Sequence, residues 1–334
     1  MIRDAIRRFY QDYFVSDEFR AWQNEFACEI YAVLTQNLPN AEVRTVTDLC
    51  TAMSNKRYLG LRIDSLKTHG RTSVVEFEHN GNQRRELGDM VIFSLVTYNR
   101  QIVFLKTAFI QNKKADKRTT ASDIWNIDQE QLFLLKNFPT FTGVSGIFRE
   151  QTLSMLNHSN TLGNFGLFTS TGDMTFLTAQ NVFCEQQNNG RIDFDDIKRD
   201  SLSVIPEFPC TKFGFCDCAE ILIDVWEHSD FKRSFLPIFG GGFGLPFFGN
   251  YKFALDVYEI VRQLTYFNIG EPSNVFSRVV NRNLFDFSAH TLKKAFGYYF
   301  GDGFVNVEQS LGDNGYWEGE QHVILNHVEL GDGR

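Results

Sequence analysis

Proline is scarce in this chain, with 7 residues in 334. Its loops are therefore not stiffened by fixed φ angles, and a proline-rich spacer is excluded. Long apolar runs are missing as well. The longest, MVIFSLV and IVFLKTAFI, have strand length and fall far short of the ~18 residues a membrane-spanning helix needs, so no membrane association is expected. The N-terminal MIRDAIRRFYQDYF alternates charge with aromatics and lacks the apolar core and cleavage site of a secretory signal, which makes a cytoplasmic protein the expectation. Six cysteines, at 28, 50, 184, 210, 216 and 218, are too few and too irregular for a disulfide framework. The C-x5-C-x-C run among them lacks the paired spacing of a zinc knuckle. The seven histidines show neither HxH nor HExxH spacing, so a His-based zinc site is not expected. Internal repeats are absent. Excess positive charge is absent too: a net charge of −8 argues against coating nucleic acid by bulk electrostatics. A nuclease is not excluded, because it gathers carboxylates for metal and needs only a local basic rim.

What is abundant is phenylalanine, 34 residues, which predicts an aromatic-rich core. Residues 16–38 carry the first strong periodicity. Phe19, Trp22, Phe26, Ile30 and Val33 recur every three or four positions and form one apolar stripe of an amphipathic helix, with Ser16 as N-cap and Pro39 beyond its end. A short helix follows around TDLCTAMSN. TSVVEFEH at 72–79 reads as a strand closed by the turn HNGN, with Glu76 and Glu78 on its wet face. Strands near 88–98 and 101–112 flank Asn99 and Arg100, and a hairpin is the economical reading. DQEQLFLLKNF at 128–138 is helical and stopped by Pro139. FGLFTS and MTFLTAQ supply further strand candidates. Residues 251–267 and AHTLKKAFGYYF supply helices, and FLPIFGGGFGLPFFGN between them lacks the Gly-Lys-Ser/Thr ending of a phosphate loop.

The chemistry concentrates in RRELGDMVIFSLVTYNRQIVFLKTAFIQNKKADKR. With a turn at 99–100, paired residues sum to about 199, so Asp89 lies beside residue 110, one position from Gln111; a single bulge would change which faces match. Gln111 and Lys113 share one strand face. A carboxylate, an amide oxygen and an ammonium thus converge at one end of the hairpin, a set able to hold Mg²⁺ and to assist a water attacking a phosphate. The run NKKADKR, with Lys114, Lys117 and Arg118, and the preceding Arg84 and Arg85 supply a basic rim for nucleic acid.

Asp89 followed by Gln111-Asn112-Lys113 resembles the PD-(D/E)xK nuclease pattern in its D…QxK form, as in Mrr-like restriction endonucleases. That resemblance implies metal binding by Asp89 and Gln111 and assistance to water by Lys113, with Mg²⁺ or Mn²⁺ as cofactor and DNA as substrate. It also implies a metal ligand from the first helix, for which Glu25 and Glu29 are both candidates. Glycine stands at 88, where the family usually has proline. The implied fold is an α/β restriction-endonuclease-like core, α-β-β-β-α-β, with a central mixed sheet flanked by helices over residues 1–185. Residues 186–334 then form an accessory, mainly helical region. Several stretches are also similar to bacterial proteins associated with phage defence. The expected activity is metal-dependent hydrolysis of DNA in defence or restriction, in a homodimer or with a protein partner of the same system. The alternative is a degenerate nuclease fold serving as a nucleic-acid-binding or sensor subunit.

Overall fold

The computed structural model of the chain describes residues 13, 16–67, 73–99, 101–115, 123–145, 149–182, 190–193, 253–254, 256–275, 278–296 and 321–330. Lys117, Arg118, the cysteines at 184, 210, 216 and 218, and the glycine-rich stretch at 235–250 lie outside the described residues.

Helix α1 (Asp17–Gln36) begins where the Ser16 hydroxyl accepts the Phe19 N–H at 3.1 Å. Its buried stripe is Phe19, Gln23, Phe26, Ala27, Ile30 and Leu34, so Leu34 takes the inward place that the periodicity assigns to Val33. After α2 (Glu42–Met53) come β1 (Lys56–Tyr58) and β2 (Leu61–Lys67), then the hairpin β3 (Val74–Glu78) and β4 (Asn82–Glu86). The long strands β5 (Met90–Tyr98) and β6 (Gln101–Lys114) follow, with β7 (Ile124–Asn126), α3 (Gln129–Asn137), β8 (Phe141–Gly143) and β9 (Thr152–Leu153) after them. Beyond these lie β10 (Gly163–Phe168), β11 (Met174–Thr178), β12 (Arg191–Asp193), β13 (Phe253–Ala254), α4 (Val257–Thr265), β14 (Glu271–Val275), β15 (Arg278–Val279), α5 (Arg282–Phe296) and β16 (His322–Leu330).

The chain is a mixed α/β structure around a central sheet ordered β1-β2-β16-β5-β6-β10-β11-β13, with β14 on the far half of β6. Pairing is parallel for β16–β5 and β10–β6 and antiparallel for β5–β6, β2–β16 and β10–β11. Strand β5 is buried at eight successive residues because both of its faces are covered. On one face Val91, Phe93, Leu105 and Phe109 pack with Leu135 of α3 and Phe287 of α5. On the other, Ile92, Ala108 and Ile110 meet Phe26 and Ile30 of α1, Leu49 of α2 and Val261 of α4. Fully burying such side chains contributes about 1.5–3 kcal/mol each.

Three expectations need correction. The strand near 72 is not part of the central sheet: β3 spends its two edges on β4 and β8, in a separate four-stranded sheet. Helix α4 starts at Val257 rather than 251, because the Asp256 carboxylate caps it by accepting the Glu259 N–H at 2.8 Å. Beyond residue 186 the described residues alternate strands with helices, and β16 lies between β2 and β5.

The seat of α3 on the sheet depends on a close approach at Gly163. A methyl there would stand 2.2 Å from the Leu135 carbonyl oxygen, a backbone atom that cannot swing aside. Gly163→Ala is expected to destabilise the fold by about 1–3 kcal/mol. Thermal melting checks this, and an unchanged melting temperature would refute the seating.

Candidate active site

The hairpin turns through Asn99, which adopts a left-handed φ of 50°. Its last pairs are Tyr98↔Gln101 and Thr97↔Ile102, but the register then shifts so that Val96 faces Phe104 and Met90 faces Ile110. Val103 is the extra residue of a β-bulge. The bulge moves the ladder by one position, so that Met90 rather than Asp89 faces Ile110, and Asp89, just before β5, meets Gln111 through its side chain.

Strand β5 ends at this point while β6 continues for four more residues. The Asp89 N–H donates to the Ile110 carbonyl at 2.9 Å, and beyond it the N–H groups of Asn112 and Lys114 reach past the end of β5. Carboxylates take both. Asp89 Oδ2 accepts from the Asn112 N–H at 2.6 Å, and Glu42 Oε2, in the first turn of α2, accepts from the Lys114 N–H at 2.8 Å. Two residues of strand separate these donors by about 6.6 Å. Asp89 Oδ2 also accepts from Gln111 Nε2 at 2.8 Å.

Electrostatics mark the same place. Burial pushes the partly buried Asp89 carboxyl up to about 7; the Asn112 N–H opposes the rise, Glu42 and Glu86 add to it, and Lys113 pulls it down. Glu42 is likewise raised by burial, against the pull of Lys113 and the Lys114 N–H. Lys113 is half-buried, and its side chain forms no hydrogen bond or ion pair among the described residues. Its neighbour Lys114 is fully committed: its Nζ donates to the carbonyls of Asn37, Leu38 and Asn40 at 2.8, 2.9 and 2.6 Å, just past the end of α1. A cation there neutralises the negative end of the helix dipole.

Proline cannot occupy the position of Gly88. Its φ of 159° is closed to a ring fixed near −65°, and a Cβ would stand 3.0 Å from the Ile110 oxygen. The C-terminal strand also holds this corner: Gln321 Nε2 donates to the Gly88 carbonyl at 3.0 Å, and the His322 N–H donates to the Asp89 carbonyl at 3.0 Å.

The bulge, not the spacing alone, brings Gln111 to Asp89, with Lys113 two residues further along β6, whereas the first-helix candidates do not join them. Glu25 and Glu29 lie on the exposed side of α1, and Glu29 is ion-paired with Lys56 of β1. The helix carboxylate near Asp89 is Glu42. Of the basic rim, Arg84 pairs with Glu76 at 2.5 Å while remaining exposed, and Arg85 donates to Asp128 at 2.8 Å. Sequence reasoning missed Glu42 and Gln131. Glu42 opens a helix just after Pro39 and Asn40. Gln131 sits three residues after its N-cap Asp128, the spacing of a capping box, with its N–H donating to Asp128 at 2.8 Å. Comparison of the chain with protein-family models, with curated proteins and with solved structures finds no match.

Proposed function

We propose that the chain is a Mg²⁺- or Mn²⁺-dependent phosphodiesterase that cleaves DNA, with a restriction-endonuclease-like core of the D…QxK type. The observation that carries this reading is the side-chain contact of Gln111 with Asp89 at the end of the hairpin, with Lys113 two residues further on the same face of β6, its side chain in no hydrogen bond or ion pair among the described residues. The order hairpin, helix α3, then β10 parallel to β6 supports the fold assignment.

The donor chemistry suits a hard cation. Asp89 and Glu42 each use one oxygen on a backbone N–H, and Glu86 adds a third carboxylate within electrostatic reach. Among the described residues no group of three or more His, Cys, Asp or Glu side chains is arranged to hold an ion alone. A site with one or two carboxylates suits Mg²⁺, which keeps several waters and draws on substrate phosphates for the rest of its shell. When bound, such an ion lowers the pKa of a water and withdraws charge from the phosphate. The chain's own residues supply the remainder. Asp89 and Glu42 hold negative charge where the ion belongs, Gln111 orients Asp89, and Lys113 stabilises charge developing on a phosphoryl oxygen.

Supercoiled plasmid with Mg²⁺ or Mn²⁺ tests the reading. Wild type should nick or linearise it, and Asp89→Ala and Lys113→Ala should not; equal cutting by all three would sink the assignment. A cytoplasmic setting, a role in phage defence, a homodimer and a partner from the same system belong with this reading. No described helix is long and apolar enough to cross a membrane. A second reading, a nuclease-like subunit that binds DNA without cutting it, is favoured by the Gln111 amide, which faces Asp89 with its nitrogen. Metal-independent, salt-sensitive DNA binding without cleavage would establish it.

A further inference from the structure

The orientation of the Gln111 amide is fixed by its neighbours. One amide corner of Gln131 lies 3.2 Å from the Glu86 carbonyl, which only accepts, so that corner is Nε2. The same nitrogen stands 2.5 Å from Gln111, which must answer with its oxygen. Gln111 Nε2 is thereby turned to Asp89 Oδ2 at 2.8 Å and to the Asn112 carbonyl at 3.4 Å, both acceptors. The chain of bonds is anchored at each end by a backbone carbonyl and has one consistent reading. Gln131 is itself well placed: it is 5% exposed, and its helix is braced by the Asp128 cap and by Arg85 on Asp128.

We propose that Gln131 is a positioning residue that holds Gln111 with its donor toward Asp89, and that turning the Gln111 oxygen toward a cation there requires breaking this hold. The inference rests on the phosphodiesterase reading of the site. If Gln111 alone turned over, two NH₂ groups would face each other. If Gln131 turned with it, its oxygen would face the Glu86 carbonyl. Either arrangement leaves buried polar groups opposed, so the wild-type hold weakens cation binding by roughly tenfold. A glutamate at 111 has an acceptor at both ends and no wrong orientation, so Gln131 would not oppose the cation there.

The test is a double-mutant cycle read by Mn²⁺ affinity, using the electron paramagnetic resonance of free Mn²⁺ and no substrate. Gln131→Met keeps the length and removes the donor; it should tighten Mn²⁺ binding about tenfold in the wild-type background and leave it unchanged beside Gln111→Glu. Gln131→Asn, too short to span both partners, should act in the same direction and serves if the methionine variant does not fold. Unchanged affinity in folded Gln131 variants, or equal tightening in both backgrounds, overturns the proposal alone. If wild type and Gln111→Glu both fail to bind Mn²⁺, the phosphodiesterase reading falls and takes this proposal with it.

Discussion

Lys113→Met is expected to lower Mg²⁺-dependent plasmid cleavage by about a hundredfold or more while leaving the melting temperature within a degree or two of wild type. Lys114→Met is expected to do the reverse. The two residues are adjacent on β6 and point to opposite faces of the strand. The Lys113 side chain acts electrostatically on Asp89 and Glu42 without a hydrogen bond or ion pair among the described residues, so its truncation breaks no structural bond found there. What is lost is a positive charge near the place where negative charge would develop on a phosphate. Lys114 is bound to three carbonyls beyond the end of α1, and losing it strips those acceptors of a charged donor. That should cost about 2–4 kcal/mol of stability. Melting curves and initial cleavage rates on both variants separate the roles. Loss of stability in Lys113→Met comparable to that in Lys114→Met would show that both lysines are structural.

The contrast between these lysines was not legible in the sequence, where both belong to one basic run. Strand alternation places Lys113 with Gln111, but only the position of the α1 terminus shows that Lys114 is already occupied. Similarly, the hairpin could be read from its apolar strands and the Asn99 turn. The bulge at Val103, which sets Asp89 against Gln111, depends on how Val96, Val103 and Phe104 pack with Phe19 and Phe267 from elsewhere in the chain. The helix stripe of α1 was clear, and the same stripe turns Glu25 and Glu29 outward. Glu42 escaped notice because its role comes from the end of β5, beyond which two N–H groups of β6 need acceptors. Nor does local pattern reveal that β16, more than two hundred residues downstream, supplies the strand beside β5, with bonds from Gln321 and His322 to Gly88 and Asp89.

Asp89→Asn is expected to abolish cleavage and, in EDTA above about pH 7, to make the protein more stable than wild type. Asparagine keeps an oxygen able to accept from the Asn112 N–H and from Gln111 Nε2, so the local bonds can survive. It removes a charge that burial and the neighbouring Glu42 and Glu86 disfavour. The Asp89 carboxyl titrates at about 7 in the folded chain, against an ordinary value of 3.8. Below pH 3.8 both folded and unfolded forms hold the proton. Between 3.8 and about 7 the unfolded chain releases a proton that the folded chain keeps, so stability falls as pH rises; above 7 the loss is complete. For a fully buried group the change would be about 4 kcal/mol, and the partial solvent access of Asp89 reduces it to roughly 2. The melting temperature of Asp89→Asn should therefore match wild type near pH 4 and exceed it by several degrees at pH 8. Mg²⁺ should narrow that gap by stabilising the wild-type carboxylate alone. A difference independent of pH, or a variant less stable at pH 8, would show that the ionised carboxylate is not under strain in the folded chain. The expected outcome would mean that the charge is retained at a cost to the fold, as groups kept for chemistry commonly are.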